Sequence, residues 1–154
     1  MSKNDGKIFI TNRKANFEYT ILDTFEAGLM LLGSEVKMIV SGQANIGDAY
    51  VIERDGELWI QNSHVSKNEH VGEYFQHDPM RLRKLLMHKK EISKIIGAMT
   101  EDGYTVVILN LHANHNKIKA LIGLAKGKKS YDKRASIKER ENNREISRAM
   151  RGDY

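Results

Sequence analysis

The chain has 154 residues, 40% of them hydrophobic, and a formal net charge of +5, which suits one ordinary core plus an appendage. It contains no cysteine, which excludes disulfides, thiolate metal sites and thiol catalysis. No apolar run reaches the ~18 residues of a membrane span, and residues 1–6 lead into no signal-peptide core, so a cytoplasmic protein without a membrane partner is expected.

Phe17 to Leu22 alternates large and polar residues and predicts a strand; Ala27 to Leu32 predicts a second. Ser34 is placed to cap a short helix whose Val36, Ile39 and Val40 share a face, stopped near Gly42. Ala49 to Arg54 and Glu57 to Ile60 flank Asp55-Gly56. That dipeptide tolerates positive φ at both positions and predicts a β-hairpin. Residues 66–76 are polar and irregular, hence a loop. Asp78 as N-cap and Pro79 in the first turn then predict a helix bearing Leu82, Leu85, Leu86, Ile92, Ile96 and Met99 as an apolar stripe. His88 with Glu91 three residues later offers a restart, which would make two short helices. Gly103 ends this segment. Tyr104 to Leu111 is β-branched and apolar. Lys117 to Leu124 alternates, with Ile118, Ala120, Ile122 and Leu124 on one face and Lys117 and Lys119 on the other. Ala113-Asn114-His115-Asn116 joins the two as a hairpin. The sum is a mainly β fold, about six strands in a small closed antiparallel barrel with inserted helices.

The charge is concentrated at the C-terminal end. Residues 126–154 hold 10 Lys and Arg against 5 Asp and Glu, which leaves residues 1–125 balanced at 15 of each sign. A neutral body with a basic arm points to a polyanion as partner. From Asp132 to Arg151 the apolar residues are only Ala135, Ile137, Ile146, Ala149 and Met150. Burying so few cannot offset ordering costs of ~1–2 kcal/mol per residue. Arg140, Arg144, Arg148 and Arg151 fall on one helical face, so a tail disordered alone and helical on a charged surface is expected.

Candidate chemistry is sparse elsewhere. His64, His70, His77, His88, His112 and His115 show no spacing for a metal or for paired acid–base work. No nucleophile elbow, phosphate loop or dinucleotide fingerprint is present. Gly33-Ser34-Glu35 reads as a helix start, Arg81-Leu82-Arg83-Lys84 as a solvated helix face that could touch phosphate, and Trp59 as core. Tyr131, in a basic segment without a core, is suited to stacking on a base.

Several motifs occur together in order: Asn12-Arg13-Lys14-Ala15, Phe17-Glu18-Tyr19, Glu26-Ala27-Gly28, Gly33-Ser34-Glu35-Val36-Lys37 and Asp48-Ala49-Tyr50-Val51. They continue through His77-Asp78-Pro79, Arg81-Leu82-Arg83-Lys84-Leu85-Leu86, Gly103-Tyr104-Thr105 and the run from Gly123 to Arg134. With these the chain resembles the small protein B family, the SsrA-binding proteins of bacterial trans-translation, from about residue 7 to residue 151. The resemblance implies an oligonucleotide-binding-fold barrel over residues 7–130 and a basic tail over 131–154. It implies no enzymatic step and no cofactor. The implied partners are the tRNA-like domain of transfer-messenger RNA, elongation factor Tu, and ribosomes stalled without a codon in the A site.

By the same resemblance Asn12, Arg13, Lys14, Glu26, Leu86, Lys119, Lys126, Lys128 and Lys129 hold the RNA. Glu26 would accept hydrogen bonds from base edges or orient a cation. In the tail, Tyr131 would stack on a decoding-centre base. Asp132, Lys133, Arg134, Lys138, Arg140, Arg144 and Arg148 would lie as a helix in the empty mRNA channel, with Ala149 and Met150 as an apolar pair near its end. Four positions depart from the family pattern. Val40 replaces a common Lys or Arg, Ile108 a frequent Pro, His112 a frequent Tyr, and Leu121 a charged residue. The rival readings are a generic single-stranded nucleic-acid-binding barrel and a His-dependent ribonuclease.

Overall fold

A computed structural model describes residues 6–101 and 103–127. Along the chain lie β1 (Ile8–Thr11), α1 (Ala15–Glu18), β2 (Tyr19–Leu29), α2 (Gly33–Val40), β3 (Ala44–Asn45), β4 (Tyr50–Arg54) and β5 (Glu57–Gln61). Then come β6 (His64–Val65), a 3-10 turn (Glu73–Phe75), β7 (Arg83–Leu86), α3 (Lys89–Met99), β8 (Tyr104–Asn114) and β9 (Lys117–Gly127). The tail positions from Lys128 onward, Lys129 and Tyr131 among them, lie outside the described residues.

The fold is mainly β, and its pairings run in a ring. β8 pairs with β4, β4 with β5, β5 with β7, β7 with β2, β2 with β9, and β9 returns to β8, while β1 also lies along β8. Every pairing is antiparallel. Strand alternation sends Val51, Leu58, Ile60, Leu85, Ile108 and Ile122 into the core, each almost fully buried. Each such side chain contributes ~1.5–3 kcal/mol by leaving water. Ile39 from α2 and Ile92 and Ile95 from α3 join that core. No helix among the described residues is long and apolar enough to cross a membrane.

Two hairpins form as their turns dictate. Asp55 (φ 54°) and Gly56 (φ 78°) close β4–β5, and His115 (φ 52°) and Asn116 (φ 61°) close β8–β9. The second turn is two residues, so β8 runs on to Asn114, while β9 continues past Leu124 to Gly127. The described residues hold nine strands rather than about six.

Three expected elements differ. The two early strands are one, β2, while Phe17 and Glu18 belong to α1. Opposite β9, Ile21 pairs with Ala125 and Asp23 with Leu124, so Leu22 is an extra residue in a bulge. A bulge reverses which parity faces the core, and the alternation breaks mid-strand. The segment after Asp78-Pro79 is a turn and then β7, not a helix. Asp78 Oδ1 accepts from the Met80 N–H at 3.0 Å and its carbonyl from the Arg81 N–H at 3.1 Å. Arg83 and Lys84 then pair with Ile60 and Trp59. The helix at the His88 restart is real and is α3. In α2, Leu32 rather than Ser34 stands at the cap; Val36 and Val40 are exposed, and Met38 and Ile39 are buried. Trp59 is half-buried on β5, out of phase with the buried Leu58 and Ile60.

Candidate nucleic-acid interface

The register of four adjacent pairings builds one outward-facing row. Leu86 on β7 opposes Gly28 on β2, Gly28 opposes Lys119 on β9, Lys119 opposes His112 on β8, and His112 opposes Ile8 on β1. One rung away, Glu26 opposes Leu121, and Leu121 opposes Asn110. A side chain at Gly28 would crowd this row: a Cβ there would stand 3.2 Å from Leu86 Cβ and 3.4 Å from Lys119 Nζ. Glycine therefore lets Leu86 and Lys119 close over the strand between them.

Glu26 is held at both oxygens. Oε2 lies 2.9 Å from His112 Nε2, and Oε1 accepts from Asn114 Nδ2 at 2.9 Å. The hydrogen bonds from His112 and Asn114, aided by the charge of Lys119, keep its carboxyl below the ordinary range. Beside this row a groove of about 390 Å³ opens between the sheet and α2. Its walls include Phe9, Val36, Val40 and Leu86, and Lys117 and Lys119 stand at it. Val40 thus adds apolar wall rather than charge.

A buried ion cluster holds that groove's two sides together. Glu35 of α2 is fully buried, with Arg81 Nη2 2.6 Å from Oε1 and Arg83 Nε 2.6 Å from Oε2. Arg83, 2% exposed, also donates to Ser63 Oγ at 2.8 Å and to the carbonyls of Ser63, Arg81 and Pro79. Arg81 and Arg83 are therefore an internal anchor and not a solvated helix face, whereas Lys84 Nζ stands 4.0 Å from Glu57 Oε2. Ser34 Oγ lies 2.8 Å from His77 Nδ1, and His77 Nε2 lies 2.9 Å from the Val65 carbonyl. A carbonyl only accepts, so Nε2 donates to it.

The other expected RNA positions lie elsewhere. Asn12 is buried; its Nδ2 donates to the carbonyls of Ile108 (2.8 Å) and Ile46 (3.3 Å), and its Oδ1 accepts from the Lys14 N–H at 3.1 Å. Its side chain shapes the turn that displays Arg13 and Lys14, both exposed. Lys14 Nζ is 3.7 Å from Asp48, an exposed pair of little energetic weight. Asn12→Ala is expected to destabilise the fold by about 1–3 kcal/mol, since it strips partners from buried backbone groups; a lowered thermal midpoint checks this. Ile108 is fully buried beside a register shift in β8. Lys126 is exposed near the far end of β9, ~23 Å from Lys119 at ~3.3 Å per residue, with Nζ 5.7 Å from the Tyr104 ring centroid.

The structure thus brings Glu26, Leu86 and Lys119 onto one face, and keeps the Asn12 turn and Lys126 apart from them. Two groups went unforeseen. The Glu26–His112–Asn114 contact follows from the His115-Asn116 turn: once that turn is two residues, Asn114 opposes Lys117 and His112 opposes Lys119. The Glu35–Arg83 pair has no local signal, because its partners are 48 residues apart.

A mainly β fold that gathers lysines, an anchored carboxylate and an apolar groove on one sheet face has the surface of a binding module. The family model described as SmpB protein matches residues 9–152, and the chain belongs to that family. An SsrA-binding protein of Synechococcus sp. (strain JA-3-3Ab) is 50% identical over 146 residues, 95% of each chain. An SsrA-binding protein of Bacillus cereus (strain ATCC 10987 / NRS 248) is 49% identical over 151 residues, 98% of this chain and 97% of that one. A solved structure described as "tmRNA-SmpB: a journey to the center of the bacterial ribosome" is similar at a TM-score of 0.66 and 40% identity, covering 78% of this chain and 84% of that one.

Proposed function

We propose that this protein binds the tRNA-like domain of transfer-messenger RNA and brings it to stalled ribosomes for trans-translation. It does so with elongation factor Tu in the delivery complex and without making or breaking a bond. The observation that carries the reading is the meeting of Glu26, Leu86 and Lys119, from three strands far apart in sequence, on one sheet face. The choice of RNA rests on relatives named as SsrA-binding proteins and on a similar solved structure described with tmRNA.

The pairing ring supports a closed barrel of the oligonucleotide-binding type over residues 7–130, with the tail over 131–154 as a separate working part. On the sheet face Lys119 meets phosphate, Glu26 accepts from base edges, and Leu86 with the groove takes apolar base surface. Arg13 and Lys14 form a second phosphate contact, and Lys126, Lys128 and Lys129 a third. From Tyr131 the tail reads the decoding centre and the empty mRNA path of the small subunit. The site of action is the cytoplasm, where ribosomes work.

Filter or gel-shift titration against transfer-messenger RNA, with an unstructured RNA of equal length as competitor, tests the whole reading. Binding that survives the competitor is expected. Equal loss to the competitor would leave only a charged surface. Glu26→Ala should weaken binding about ten-fold, the scale of a hydrogen bond to a charged group, with an unchanged circular dichroism spectrum because the side chain is exposed. Unchanged affinity with an unchanged spectrum would remove Glu26 from the interface.

A further inference from the structure

We propose that His112 is a positioning residue of the RNA face: it neutralises and aims Glu26, and so makes RNA affinity fall as pH rises. The proposal rests on the RNA-binding reading above and adds to it a residue and a dependence that the reading does not contain.

Hydrogen-bond direction carries the first step. A carboxylate only accepts, so the 2.9 Å contact between His112 Nε2 and Glu26 Oε2 needs a proton on Nε2. On the other side of the ring, Nδ1 lies 2.8 Å from Asn110 Oδ1, an amide oxygen that also only accepts. Both ring nitrogens therefore donate, and the ring that fits this setting is the imidazolium. Asn114 Nδ2 takes the remaining oxygen of Glu26. Two residues of β8, His112 and Asn114, thus clamp one carboxylate of β2, with Asn110 behind the ring on the same face.

Charge carries the second step. The groups facing His112 are Glu26 from β2 and Lys119 and Lys117 from β9. On the β1 side Lys7 is drawn over the Phe9 ring, 5.8 Å from its centroid, and His115 stands exposed in the turn. With the imidazolium in place Glu26 is neutralised, and Lys119 keeps its full charge for phosphate. When the ring loses a proton, the carboxylate is left uncompensated beside Lys119. It then draws that ammonium to itself and repels phosphate. The contact with Glu26 or with Asn110 is lost at the same time, and where it is the contact with Glu26, Asn114 alone holds the carboxylate.

The test uses the full chain and the tRNA-like domain of transfer-messenger RNA, titrated at fixed ionic strength from about pH 6 to about pH 8, the range in which an imidazole changes charge. Wild-type affinity should fall about three- to five-fold upward, the scale of one exposed ion pair. His112→Gln keeps an amide donor for Glu26 but cannot titrate, and its affinity should stay level. Parallel profiles in wild type and His112→Gln overturn the proposal. A second reading needs no RNA: imidazole nitrogen shifts of the free protein should report a proton on His112 Nε2 in the contact with Glu26, and Glu26→Gln should change them. Unchanged shifts overturn the pairing. Wild type that binds no RNA at any pH refutes the RNA reading itself, and the nitrogen spectrum then judges the pairing alone.

Discussion

Replacing Glu35 by Gln is expected to remove about 3–5 kcal/mol of folding stability, the cost of leaving a buried charge without its partner. The stranded group is Arg83, at 2% exposure, with Glu35 as the carboxylate beside it. In a domain of this size the loss should lower the thermal midpoint by ~10–20 °C. Urea and thermal unfolding measure it directly. A change under 1 kcal/mol, a size ordinary for exposed pairs, would show that Arg83 is satisfied by its carbonyl and hydroxyl partners alone. Removing both charges should be milder: Glu35→Leu with Arg83→Met is expected to recover much of the loss, because an apolar pair carries no desolvation penalty.

The same carboxyl sets an acid dependence. Burial pushes Glu35 up, but the hydrogen bond from Arg81, the Leu32 N–H and the charges of Arg83 and Arg81 outweigh it and hold the group below its ordinary value. A carboxyl lowered on folding stabilises the protein above its unfolded pKa, ~4.3 for Glu. That contribution is lost as pH falls through the folded value. Wild type should therefore lose this part of its stability in acid, and the gap between wild type and Glu35→Gln should narrow there. The consequence reaches the interface. Glu35 lies next to Val36 of the groove wall, and Arg83 lies in the strand that presents Leu86. Weakening this anchor should loosen the groove before it touches Glu26.

Local chemistry made some of this molecule readable in advance. Asp55-Gly56 can occupy the left-handed region at both positions, and it does. His88 and Glu91 marked a helix start that forms. What failed was decided at long range. Leu82, Leu85 and Leu86 fit a helical stripe, yet two ladder pairs to β5 make that segment a strand. Leu22 broke the alternation of β2 through a bulge that only the partner strand reveals. Arg83 looked like surface because Glu35 and the two acceptors of Ser63 come from elsewhere in the chain. Of the site, Glu26, Leu86 and Lys119 entered by family resemblance. Their shared face came from strand register, and His112 entered only when the register put it beside Glu26.

Removing residues 132–154 is expected to abolish peptide tagging on stalled ribosomes while leaving the body's affinity for transfer-messenger RNA largely intact. The removed segment carries 7 basic and 5 acidic groups, and residues 1–131 keep 18 basic and 15 acidic ones. Truncation before Asp132 spares Lys119, Lys126, Lys128 and Lys129, so the body keeps its phosphate contacts. It removes Arg140, Arg144, Arg148 and Arg151, which a helix would place on one face. An empty mRNA channel is a phosphate-lined groove that such a face can fill. Messenger RNA already there excludes it by volume and by like charge on the phosphates. Each phosphate neutralised steepens the salt dependence by ~0.7–0.9 in log–log slope, so four arginines give a slope near −3 for the tail's engagement. Replacing Arg140, Arg144 and Arg148 by Gln should flatten that slope, whereas Lys at the same places should keep it. Tagging by the truncated protein would refute the tail's role. Loss of RNA binding along with tagging would refute the division of labour between body and tail.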